Sequence, residues 1–173
     1  MTTVPNAAAT DTPPPIPAAQ SGFDLPIVLI IIAVLEFLDG LSVAWAVFGD
    51  PEIVVASFSA AACVLHPLLA LAALLFAAIG RVRPAIVMFG AVIIVTWLKY
   101  MPTVLSSGID AVGFGAIWSP AQIIVFPLLA VGAIGLAACN RRLGLAAALV
   151  GIPTLFNVAA VMAIAISITI RGS

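Results

Sequence analysis

Long apolar stretches alternate along this chain with short polar breaks that contain Gly, Pro, Arg or Asp. Each stretch is close to or above the length of about 20 residues with which an α-helix crosses about 30 Å of hydrocarbon. Backbone groups in hydrocarbon must be satisfied within the segment, which predicts helices and not strands. The pattern therefore predicts five membrane-spanning helices, over residues 25–48, 53–79, 85–105, 120–139 and 143–170.

Composition places the chain in the same class. Apolar residues make up 64% of the 173 positions and charged residues only 8%, whereas soluble domains carry about 25% charged residues. These polar side chains are too few to cover a globule of this size in water. Most of the surface is therefore expected to face lipid. The predicted fold is an all-α integral membrane bundle with the lipid bilayer as its partner. A net charge of −1 without a basic patch gives no sign of a nucleic-acid interface, and no nucleic-acid partner is expected.

The first 22 residues differ from the rest of the chain. They are rich in Pro, Ala and Thr and contain no Lys or Arg. A secretory signal needs a positive amino-terminal region and a transit peptide is Arg-rich, so neither is expected here. Residues 1–22 are predicted to be a disordered cytoplasmic tail, followed by the transmembrane bundle over 23–173.

The basic residues predict the orientation of the bundle. With five spans, the second and fourth connections lie on the same side of the membrane as the amino-terminal tail. In membrane proteins, the loops on the cytoplasmic side carry an excess of Lys and Arg. Those connections hold Arg81, Arg83, Arg141 and Arg142. The amino terminus is therefore predicted to be cytoplasmic and the carboxyl terminus outside, in a plasma or inner membrane.

Charged residues inside the predicted spans are the most informative feature. They are costly in hydrocarbon and usually pair or line a water-filled cavity. At 1.5 Å per helical residue, Glu36 lies about 17 Å from the cytoplasmic edge, and the other candidates lie about 20 or 21 Å from it. Those candidates are Asp39, His66, Lys99 and Asn157. The shared depth predicts one polar cluster.

Each candidate also has a purely structural interpretation. Lys99 is expected either to extend its ammonium to the interface beside Tyr100 or to form an ion pair with Asp39. A single His66 is more often a packing residue than a ligand, and Asn157 is more often a hydrogen bond between helices. Burial disfavours the charged form of a carboxyl group, so Glu36 is expected to hold a proton.

The small residues and the two cysteines are expected to have mainly structural roles. The glycines and alanines of 132–135 and 144–151 are expected to let helices four and five pack closely, or to support a homo-oligomer. Cys63 and Cys139 fall at different depths, so both are expected to be free, buried thiols.

The function is left between two classes. Enzyme activity is not expected, because the chain has no nucleophile-elbow, phosphate-loop or zinc-protease motif and only one histidine. No cofactor and no metal site is predicted either. The first class is a structural or accessory subunit of a larger membrane complex, whose polar cluster sets helix register. The alternative is a proton- or cation-coupled transporter that uses Glu36 and Asp39.

Overall fold

The computed structural model describes residues 24–49, 57–108 and 118–171, which form a bundle of helices. Helix α1 covers Leu25–Gly49, α2 covers Ser57–Ala78 and α3 covers Val82–Ser107. Helix α4 is a continuous run of Trp118–Pro120, a π-helical stretch Ala121–Val125, and Phe126–Ala138. Helix α5 covers Leu143–Arg171. The predicted all-α architecture is confirmed for the described residues, none of which lies in a strand.

All five helices are long and apolar enough to cross a membrane. Large apolar side chains point away from the bundle, among them Ile31, Trp45 and Leu128. Trp45 is 80% exposed and Leu128 is 67% exposed, which in water would leave an extensive apolar surface uncovered. The outer surface is therefore suited to lipid, as the composition predicts.

The helix ends differ from the predicted spans by a few residues. Helix α3 begins three residues before the predicted 85 and ends two residues after the predicted 105. The predicted start of the second span, at 53–56, lies outside the described residues, as does the predicted disordered tail over 1–22. The remaining boundaries agree within two residues.

The core is concentrated at one end of the bundle. Helix α3 contacts the other four helices, and its Phe89 and Ile86 are fully buried. Small side chains such as Ala133 and Ala147 let the neighbouring helices pack closely around it. A methyl group on Gly90 would approach Ile134 Cγ1 to 2.5 Å, so α3 and α4 are in close contact there. This packed half lies next to Arg81, Arg83, Arg141 and Arg142, and is called the basic end.

Two similar turns close the basic end. Gly80 and Asn140 adopt left-handed conformations with φ of 73° and 53°, the usual end of a helix. Arg83 lies in the first turn of α3 and not in a loop as predicted. Its guanidinium donates hydrogen bonds to the main-chain oxygens of Ala137 and Ala138, at 3.1 and 2.9 Å. A cation is favourable at the carboxyl end of α4, where the Ala137 oxygen also accepts from the Asn140 N–H.

The sequence expectations for small residues and cysteines hold only in part. Close packing of α4 on α5 is confirmed, but it uses buried alanines, whereas Gly135 and Gly144 face open space. Cys63 and Cys139 are both free, as predicted. Cys139 is exposed, however, because it lies in the turn after α4 and not inside the bundle.

Candidate functional site

Glu36 is the buried charged residue at the centre of the bundle. It lies on the inner face of α1, and only 7% of its surface is exposed. The Thr154 hydroxyl of α5 donates a hydrogen bond of 2.5 Å to its Oε1. His66 Nε2 of α2 lies 3.2 Å from its Oε2. Both carboxyl oxygens therefore have a hydrogen-bonding neighbour, so the group is not isolated within the bundle.

The imidazole of His66 has defined partners on both nitrogens. Nε2 also lies 3.2 Å from the main-chain oxygen of Glu36. A carbonyl oxygen only accepts, so Nε2 carries a proton in this geometry. Nδ1 lies 3.1 Å from the hydroxyl of Thr96 on α3, which donates to it when the ring is neutral. Hydrogen bonds thus join α1, α2, α3 and α5 through one ring and one carboxyl group.

Gly40 explains how the ring comes so close to α1. A methyl group at Gly40 would lie 2.5 Å from His66 Cδ2 and 3.1 Å from the nitrogen of Pro67. Any side chain larger than hydrogen would therefore displace the ring or separate the two helices. Gly40 lies one helical turn after Glu36, on the same face, so that face both supplies the carboxyl group and leaves room for the imidazole.

A cavity of about 170 Å³ extends from Glu36 away from the basic end. It reaches Val43 on α1, Tyr100 on α3 and Ala160 on α5, in the half where these three helices finish. The volume is sufficient for several water molecules. The polar groups that line it are Glu36, Asp39, His66, Thr96, Gln122 and Asn157. The bundle is therefore packed with apolar side chains on one side of Glu36 and hollow and polar on the other.

Aromatic rings form part of the same wall. Trp97, Tyr100 and Phe126 line the cavity. Pro127 has no N–H for the main-chain oxygen of Ile123, four residues earlier, and the Trp97 indole N–H donates to that oxygen at 2.9 Å. Phe126 packs edge-on against Phe156 with ring centroids 5.5 Å apart. These two contacts hold the Trp97 and Phe126 rings in place against the cavity.

Asn157 contributes an acceptor that has no partner among the described residues. It lies on the cavity wall one turn after Thr154, and its Oδ1 is fully buried. No described residue donates a hydrogen bond to this oxygen. An unpaired buried acceptor is unfavourable by about 1–3 kcal/mol, so the position is one where a donor from a water or a ligand would be stabilised.

Asp39 and Lys99 occupy a neighbouring, smaller cavity of about 40 Å³, which His66 also lines. The predicted ion pair between them is not formed among the described residues. The Lys99 ammonium instead lies 5.9 Å from the centre of the Tyr100 ring, in agreement with the alternative that placed it beside Tyr100. Asp39 is exposed, and its carboxylate makes no hydrogen bond with a described residue.

The structure thus brings most of the predicted candidates together. Glu36, Asp39, His66 and Asn157 line the larger cavity, and Lys99 lies outside it on the smaller one. Thr96 and Thr154 share helical faces with Lys99 and Asn157 by their spacing of three, but the sequence does not indicate their hydrogen-bond partners. It does not identify the aromatic wall of Trp97 and Phe126. The proline at 127, which frees a carbonyl for Trp97, is the one sequence signal for that wall.

No protein-family model matches this sequence, and no curated protein or solved structure matches it either. Within the described ranges, no three His, Cys, Asp or Glu side chains converge closely enough to hold a metal ion. The functional argument therefore depends on the geometry of the cavity and its polar groups.

Proposed function

We propose that this chain is a multi-pass membrane protein that couples a proton site at Glu36 and His66 to the passage of a small cation. The observation that supports the proposal most strongly is the cavity that ends on Glu36. A polar cluster that only set helix register would be sealed, with every acceptor paired. Here a hollow region reaches the carboxyl group, and Asn157 Oδ1 is left without a described donor.

The proton site is the pair formed by Glu36 and His66. Nε2–H of the ring donates to the carboxylate when the ring is neutral, and the arrangement accepts one more proton on either group. Interacting titratable groups in a low-dielectric interior exchange protons as a pair. The charges that face this pair are Asp39 on α1 and Lys99 on α3, while the described faces of α4 and α5 contribute no titratable group to the cavity. Asp39, exposed toward the cavity, is the counter-charge for the cation.

The proposed orientation in the membrane is based on the positions of the arginines. The basic end is cytoplasmic, the amino terminus is inside, the carboxyl terminus is outside, and the membrane is the plasma or inner membrane. The cavity then reaches Glu36 from the outside, and the packed alanine core separates it from the cytoplasm. Such a one-sided arrangement is what a carrier needs in one of its two alternating states.

One observation favours a structural or accessory subunit as the second candidate. The Glu36–His66–Thr96 chain and the Glu36–Thr154 bond connect four of the five helices. A network of this kind also sets the register of a bundle, which a subunit of a larger membrane complex or a homo-oligomer requires.

Reconstitution into vesicles that contain a pH-sensitive dye distinguishes the two candidates. For a carrier, a gradient of Na⁺, K⁺ or a small organic cation across the membrane should move protons at a rate well above that of protein-free vesicles. For an accessory subunit, no cation should move protons, and a stoichiometric partner should co-purify in mild detergent.

A further inference from the structure

The residues that line the larger cavity indicate which chemical class of cation it would bind. One part carries the carboxylates of Glu36 and Asp39, and another carries the rings of Trp97 and Phe126. A hard inorganic cation such as Na⁺ prefers a shell of oxygen ligands. Aromatic faces are instead favourable contacts for organic ammonium groups, which they attract through the ring quadrupole. The combination of carboxylate and aromatic rings is therefore suited to an alkylated nitrogen cation.

The acceptor on Asn157 adds a second requirement. Asn157 lines the cavity, and its buried Oδ1 has no described donor. A ligand with an O–H or N–H group would satisfy this oxygen, whereas a bare metal ion or a fully apolar ligand would not form that hydrogen bond. The carboxylate, the rings and the amide lie on α1, α3, α4 and α5, so a ligand inside the cavity would contact elements on several sides.

The size of the cavity sets an upper limit on the ligand. The cavity has about 170 Å³, and an engineered cavity of about 150 Å³ is known to bind a benzene ring. Ligands of drug size occupy pockets of about 300–1,000 Å³. A ligand of six or so heavy atoms fits, and a large lipophilic cation does not.

We infer that the cavity between Asp39, Trp97 and Asn157 binds a small organic ammonium ion that carries at least one hydrogen-bond donor. The inference depends on the proposed function, because the ammonium ion would be the cation that the proton site is coupled to. Asp39 supplies the counter-charge, and the Trp97 and Phe126 rings contact the alkyl groups. Asn157 Oδ1 accepts from the donor of the ligand. Lys99 does not line this cavity; it lines the smaller one, and its ammonium lies 5.9 Å from the centre of the Tyr100 ring.

Equilibrium dialysis of the purified full chain with radiolabelled choline tests the inference. Choline has a quaternary ammonium group and a hydroxyl, and 3,3-dimethylbutan-1-ol has the same shape without the charge. Choline should bind saturably, and the neutral alcohol should compete at least about tenfold less well. Asp39→Asn should weaken choline binding about tenfold or more. Because Asp39 is exposed and makes no described hydrogen bond, this variant should fold normally.

Two substitutions of Trp97 test the aromatic contact. Trp97→Phe and Trp97→Leu both lose the indole N–H that donates to Ile123, so their effects on folding should be similar. Choline binding should be retained in Trp97→Phe and weakened several-fold in Trp97→Leu. Equal binding by the two variants would overturn the role of the ring.

The outcomes separate this inference from the proposed function. Saturable choline binding that Asp39→Asn weakens supports the inference. Equal competition by the neutral alcohol overturns it, because the site would then select shape and not charge. Proton movement driven by Na⁺ or K⁺, with no choline binding, overturns the ammonium inference and leaves the proposed carrier standing. Absence of both choline binding and cation-driven proton movement overturns the two together.

Discussion

Nε2 of His66 lies 3.2 Å from the carboxyl Oε2 of Glu36 and 3.2 Å from the main-chain oxygen of the same residue. One imidazole N–H thus bridges the side chain and the backbone of α1. The approach is close because Gly40, one turn later, has no side chain in the way. The proton site that we propose therefore depends on a glycine as much as on its titratable groups.

Gly40→Ala should destabilise the protein. The added methyl group would lie 2.5 Å from His66 Cδ2, and overpacking of this kind typically costs about 1–3 kcal/mol. The unfolding midpoint can be measured with a thiol-reactive dye in a Cys139→Ser background, where buried Cys63 reacts only on unfolding. Gly135→Ala is the matched control, because that glycine faces open space, and its midpoint should be unchanged or higher. A Gly40→Ala midpoint equal to that of the control would contradict the close contact.

Thr154→Val should lower stability by about 1 kcal/mol, since it removes one interhelical hydrogen bond and keeps the side-chain shape. The hydroxyl it removes is the donor to Oε1 of Glu36. Thr154→Ser keeps the hydroxyl and should recover most of the hydrogen-bond contribution. The same dye assay measures all three proteins. If Thr154→Ser and Thr154→Val lower the stability equally, the methyl group of Thr154 contributes to stability and its hydrogen bond does not.

A double-mutant cycle on Asp39 and Lys99 should give a coupling energy close to zero. The two residues share the lining of the smaller cavity but form no direct ion pair, and Asp39 is exposed. The effects of Asp39→Asn and Lys99→Met on the unfolding free energy should therefore add in the double variant. A coupling of several kcal/mol, as for a buried pair whose partner is removed, would show that the side chains meet in the protein in solution.

Orientation is tested by thiol labelling in intact cells. Native Cys139 is exposed in the turn after α4 and should react with a membrane-impermeant maleimide only after permeabilisation. Ser107→Cys in a Cys139→Ser background places the thiol at the exposed end of α3, at the opposite end of the bundle, and should react directly. The reversed pattern would place the basic end and the amino terminus outside.

Regular helix geometry explains which parts of the site were predictable. A rise of 1.5 Å per residue brings Glu36, His66 and Asn157 to one depth, and the spacing of three places Thr154 on the same face as Asn157. In α4, Gln122 is the only polar side chain among the described residues that lines the cavity, and no regular spacing of polar residues marks the face of Phe126, so its position on the cavity wall was not predictable. The rotamer of Lys99, which places its ammonium near the Tyr100 ring, depends on packing that spacing does not encode. The Arg83 contacts depend likewise on how α3 and α4 meet.

The most direct test of the proton site is cation-driven proton movement by Glu36→Gln in reconstituted vesicles. Gln keeps the shape of the side chain, and its amide still accepts from Thr154 or His66, so the variant should fold and reconstitute as the unmodified protein does. The account predicts that Glu36→Gln abolishes the proton movement that a cation gradient drives with the unmodified protein, while Gly135→Ala retains it. Proton movement at the unmodified rate in a correctly folded Glu36→Gln protein would contradict the account.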